Sequence, residues 1–123
     1  MSLIAQIAVG IIALLHIGFL VLEMALWDKP QGMSVFRTTP DFAAASKTLA
    51  ANQGLYNGFL AAGLIWSLVP IGVGAVAPAI AIFFLCCVII AGLFGAMTVS
   101  RRILYVQALP ALVALVLVWL LPV

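Results

Sequence analysis

The chain has 123 residues, of which 67% are hydrophobic and 7% charged, with five Lys and Arg against three Asp and Glu. Ordinary soluble domains are about half apolar and roughly one-quarter charged, so so few charges cannot clothe a water-soluble fold. Disorder needs low hydrophobicity and high net charge, and a nucleic-acid surface needs a dense basic face; this composition provides neither and leaves an integral membrane protein.

In chain order, the first apolar run is Leu3–Leu26, closed by Trp27 and the polar stretch from Asp28 to Gly32. No basic residue precedes it, it exceeds the roughly 7–15 residues of a signal-peptide core, and no small-x-small site follows. It reads as a transmembrane helix over residues 3–27. Thr39-Pro40-Asp41 is a helix start: a capping hydroxyl, Pro at the first position and an acid in the first turn. Nothing but tolerable glycines interrupts the chain from there to Val69. Such a helix is about 45 Å long, longer than the roughly 30 Å hydrocarbon core. Residues 40–49 are therefore expected in the cytoplasmic headgroup zone and 50–69 across the membrane. A turn over Pro70–Pro78 precedes a third span at 79–99, stopped by Ser100-Arg101-Arg102, and a fourth at 103–121 with Pro110 inside it. That Pro removes one backbone hydrogen bond and predicts a kink. The expected fold is an all-α, four-helix up-down membrane bundle forming a single transmembrane domain over residues 1–123.

The basic residues orient it. Lys29, Arg37 and Lys47 lie between spans one and two, Arg101 and Arg102 between three and four, and the opposite side has none. The positive-inside rule puts both loops in the cytoplasm and both termini outside.

Few polar residues fall within the spans. His16 and Glu23 are seven apart, about 10 Å along one helix face, and Trp27 continues their stripe. A membrane-embedded carboxylate is a functional-site hypothesis by default; the plainer alternatives are a snorkelling Glu23 and a His16 hydrogen-bonded to a neighbouring helix. Asn52, Gln53, Tyr56 and Asn57 form i,i+4 pairs in Asn-Gln-Gly-Leu-Tyr-Asn-Gly. With Thr98 and Gln107, they put polar atoms from every helix into the cytoplasmic half, as a blind pocket with His16 at its floor would require. Cys86 and Cys87 are adjacent, so they point about 100° apart and read as packing residues. One His and two Cys cannot build a four-ligand metal cage, and no cofactor is expected. Gly54/Gly58 and Gly92/Gly95 are spaced for close helix approach, either within the chain or between copies of a homo-oligomer.

His16-x6-Glu23-x3-Trp27, the segment Asn52–Ala61, Ala91-Gly92-x2-Gly95 and Gln107-x2-Pro110-Ala111 follow one another in this order. Together they resemble a family of small bacterial integral membrane proteins catalogued as domain of unknown function 1304. The resemblance covers nearly the whole chain; it implies four spans and a bacterial cytoplasmic (inner) membrane, and brings no activity with it. A looser architectural likeness is to EXPERA-type and DoxX-like four-helix membrane proteins, in some of which acidic and His side chains line a lipid-sized pocket.

The resulting expectation is a pocket for a small lipid-like or isoprenoid-like molecule with one polar group. Glu23 and His16 would be its acid/base pair if the ligand is isomerised, and Trp27, Asn52, Tyr56, Asn57, Thr98 and Gln107 its ligand-binding residues. A dimeric proton-coupled exporter and an assembly subunit of a larger membrane complex are the alternatives.

Overall fold

The computed structural model describes residues 1–69 and 72–122. Its helices are α1 (Leu3–Met24), α2 (Pro30–Phe36), α3 (Pro40–Leu68), α4 (Ala77–Thr98) and α5 (Leu109–Leu120). A 3-10 turn at Gly74–Val76 leads into α4, and a π-helical segment, Leu104–Ala108, runs directly into α5. No strand occurs among the described residues, so the chain is all-α. Pro70, Ile71 and Val123 lie outside the described residues, and with them the start of the expected turn.

Boundaries follow local chemistry. α1 ends at Met24, earlier than the expected residue 27, and the next residues turn, with the Leu26 amide donating to the Val21 carbonyl at 3.2 Å. Pro30 holds the preceding Lys29 extended (φ −99°, ψ 162°) and opens α2, a short helix where only a polar stretch was expected. α2 closes at Arg37, whose amide donates to the Met33 carbonyl and whose left-handed conformation (φ 54°) turns the chain so that the Thr38 amide also reaches that carbonyl, at 3.1 Å. α3 then runs unbroken from Pro40, with the Thr39 hydroxyl accepting from the Phe42 amide at 3.3 Å. Pro110 does not break the last helix. The turn before it widens instead, the Leu109 amide reaching the Leu104 carbonyl five residues back, an accommodation typical of π-bulges.

Contacts divide the chain into two compact units, Met1–Ala13 with Ala62–Val123, and Leu14–Ala61. In the first unit, α4 runs antiparallel to the last helix. A Cβ on Gly92 would meet the Ala108 backbone, and one on Gly95 would touch Ile103. Gly63 lies under the Phe84 ring, and the Ser2 amide donates to the Leu121 carbonyl at 3.1 Å. In the second unit, the end of α1 runs antiparallel to α3, so that Leu20 faces Gly58 while Glu23 and Met24 face Gly54.

Two helical stretches are long and apolar enough to cross a membrane: Leu3–Met24, with mean hydropathy 2.4, and Gly74–Thr98, with 2.8. Leu104–Leu120 is also apolar but shorter. α3, expected to hold a span at 50–69, is diluted by Lys47, Asn52, Gln53 and Asn57. Four crossings therefore do not follow from the helices themselves. The buried stripes are narrow and built from small residues: Ala5, Val9, Ile12 and Ala13 on α1, Ala81, Leu85, Val88 and Gly92 on α4, Ala111, Ala114 and Val118 on α5. Large side chains such as Ile7, Ile11, Leu14, Phe83, Ile90 and Trp119 point outward.

Candidate functional site

Glu23 is the penultimate residue of α1. A helix C-terminus carries partial negative charge and disfavours an acid there, so this carboxyl does nothing for its own helix. It is nevertheless buried, 8% exposed, and the buried Asn57 side chain of α3 supplies its partner, Nδ2 donating to Oε2 at 2.8 Å. Gly54, one turn before Asn57, permits this meeting. A Cβ there would stand 3.0 Å from the Glu23 Cβ and 3.3 Å from the Leu20 carbonyl oxygen, so any larger residue would push α3 off α1 and stretch the pair.

His16, two turns earlier on the same face, is completely buried, with Phe19 edge-on at 5.6 Å between ring centroids. At the other end of the stripe the Trp27 indole N–H donates to Ser46 Oγ at 3.0 Å, and the Ser46 hydroxyl in turn donates to the Phe42 carbonyl at 2.6 Å. The Trp27 ring leans on Phe36 of α2 at 4.9 Å. One residue further on, Lys47 Nζ donates to Asp28 Oδ2 at 2.7 Å. The ammonium holds the Asp28 carboxyl below the ordinary carboxylate range. Ser46 was not singled out from the sequence; a hydroxyl on the helix facing a boundary Trp is the signal that could have found it.

The remaining expected ligand-binding residues divide differently. Asn52 and Tyr56 are exposed and hydrogen-bond to each other at 3.1 Å. Of the two i,i+4 rows on α3, only Asn57 carries a buried polar side chain; Gln53 is exposed. Thr98, in the other unit, is also exposed, and its hydroxyl donates back to the Phe94 carbonyl at 2.7 Å, leaving its proton on its own helix. Gln107 is half-buried within the π-helical segment. The glycines expected to present docking faces to a second copy are filled from within the chain. Gly54 and Gly58 take α1, and Gly92 and Gly95 take the last helix.

Two concavities lie in the first unit, away from the expected polar half. One, of about 240 Å³, is lined by Gln6, Ser67, Val73 and Ala77 among others. Its polar groups are already engaged, Ser67 Oγ to the Leu64 carbonyl and Gln6 Nε2 to the Met1 carbonyl. The other, of about 500 Å³, is wholly apolar, between Ile82 and Cys86 of α4 and Leu115, Val116, Trp119 and Leu120 of α5. Cys86 and Cys87 are free thiols.

Neither a curated protein nor a solved structure matches the chain, so the looser likeness to EXPERA-type and DoxX-like folds carries no further argument. One family model does match, over residues 10–119, a stretch that holds His16, Glu23, Trp27, Asn57 and Gln107. By that match the chain belongs to the family described as "Protein of unknown function (DUF1304)".

Proposed function

We propose that this chain is a multi-pass membrane protein whose Glu23–Asn57 pair, with His16 below it, holds the polar end of a small lipid-like or isoprenoid-like molecule. The single observation behind this reading is the buried hydrogen bond between Glu23 and Asn57. Burying a carboxyl is expensive, and inside an apolar helix such a group marks a ligand or proton site by default. The helices need no carboxyl to pack, since small residues at Gly54 and Gly58 already bring α3 against α1.

The distribution of side chains supports the membrane setting. The polar His16, Glu23, Asn57 and Ser67 are inside while Leu, Ile and Phe dominate the outside, the reverse of a water-soluble protein. Four crossings place Lys29, Arg37, Lys47, Arg101 and Arg102 on the cytoplasmic side of a bacterial inner membrane. Chemically, beyond their mutual bond the Asn57 amide keeps a second N–H and its carbonyl oxygen, and the carboxyl keeps its other oxygen. That set suits a hydroxyl or amine on an otherwise apolar ligand, and Glu23 can pass a proton to it if the ligand is isomerised.

The test is gentle purification in a mild detergent followed by mass spectrometry of whatever is retained. A lipid-like molecule bound by the wild type and lost from Glu23→Gln, with the helical content unchanged, is the expected result. Equal retention by both would sink the assignment. Proton flux into liposomes with no retained ligand would select the exporter instead, and a stoichiometric co-purifying protein the assembly subunit.

A further inference from the structure

The segment from Lys29 to Phe42 plays no part in the Glu23 site, and its chemistry points elsewhere. Lys29 and Arg37 are the two caps of α2, about 12 Å apart at 1.5 Å per residue. α2 is seated one way round. A Cβ on Gly32 would collide with the Leu26 carbonyl, and Phe36 lies against Trp27, so that face is turned inward. Lys29, Gln31, Ser34, Val35 and Arg37 are left exposed, with Phe42 exposed at the start of α3.

The charges here are not equivalent. Lys47 is engaged by Asp28 at 2.7 Å, whereas Lys29, which attracts the same carboxylate more weakly, and Arg37 make no ion pair among the described residues. Asp41, exposed in the first turn of α3, is the remaining carboxylate of the segment. Two unpaired cations flanking exposed apolar side chains, directly after an apolar helix, match the chemistry of an anionic membrane surface: phosphates for the cations, the acyl boundary for Val35 and Phe42.

We propose that Lys29 and Arg37 form a binding site for the phosphate headgroups of anionic lipids in the leaflet beside α2. This inference rests on the membrane reading above and is independent of any ligand at Glu23. Each cation near an anionic surface is worth about a fivefold preference, falling as salt screens it.

The experiment reconstitutes the full chain into vesicles of phosphatidylcholine with one-third phosphatidylglycerol, extracts it gently and counts co-purifying lipids by native mass spectrometry. The wild type should retain phosphatidylglycerol over phosphatidylcholine at a ratio about 25-fold that of the bilayer, and Lys29→Gln with Arg37→Asn should return the ratio close to the bilayer's. Asn tolerates the left-handed φ at position 37, so the double variant should fold; if it does not, Lys29→Gln alone should lose about fivefold. Wild-type retention in proportion to the bilayer, or unchanged enrichment in the variants, overturns the proposal; the latter would assign it to Arg101 and Arg102. Should the protein wash off the vesicles in alkaline carbonate, the membrane reading itself falls, a different outcome from insertion without lipid preference.

Discussion

At the scale of single residues, the Glu23–Asn57 hydrogen bond is the contact with most at stake. Asn57→Ala leaves a buried carboxyl without its donor, a loss of about 1–3 kcal/mol where nothing replaces it; in apolar surroundings such bonds average nearer 0.6 kcal/mol. We expect a loss of about 1–2 kcal/mol by thermal denaturation in detergent, and near-zero further loss when Glu23→Ala is added, because each change removes the same interaction. Full additivity would mean that the two side chains do not depend on each other. Thr38 predicts the opposite sign. Its Oγ1 is buried without a partner among the described residues, so the isosteric Thr38→Val should be neutral or stabilising by about 1 kcal/mol. The Asp28–Lys47 pair gives a pH dependence: with the Asp28 carboxyl held low, its contribution is complete above the ordinary value of 3.8 and disappears as acid protonates it. Titrating wild type against Lys47→Ala below that value should bring the two midpoints together.

Between elements, the glycines rank themselves by what a methyl group would strike. At Gly92 the neighbours are Ala108 N at 2.8 Å and Ala108 Cα at 3.0 Å, backbone that yields only if α4 and the last helix part. Gly92→Ala should cost about 1–3 kcal/mol, as overpacking usually does. Gly54→Ala meets the flexible Met24 side chain first, at 2.6 Å, so it should destabilise less while weakening the Glu23–Asn57 bond, visible as loss of retained ligand. Gly18 has nothing within 4 Å of its would-be Cβ and sits inside α1; Gly18→Ala should be neutral or gain up to about 1 kcal/mol from helix propensity. Denaturation midpoints of the three variants in one detergent check the order. Equal effects would mean that close approach is not what these positions supply.

For the whole molecule, the consequential prediction is orientation. Five basic residues fall in two segments and none in the others, so a reporter fused after residue 123 should be active only outside the cytoplasm. Activity inside would reverse the topology and move Lys29 and Arg37 to the wrong leaflet for cytoplasmic anionic lipid. The sidedness bears on the Glu23 site as well, since Glu23 lies on α1 immediately before those cations.

Composition alone predicts a membrane setting, because too few charges exist to cover a soluble surface, and local chemistry decides most helix limits. Thr39-Pro40-Asp41 announces the start of α3, and the absence of breakers carries it to Leu68. α2 was not legible, since Pro30-Gln31-Gly32 reads as a turn until Gly32 is found seated on the Leu26 carbonyl. Periodicity put His16 and Glu23 on one face, but it could not say which of the two polar rows on α3 turns inward. Packing turned neither row in as a whole: the glycine at 54 lets α3 close on α1, and closing there buries Asn57 and leaves its row-mate Gln53 outside with Asn52 and Tyr56. The same reason explains Thr98. A hydroxyl in a helix can always bond its own preceding turn, and only the folded surroundings determine that nothing better is offered to it.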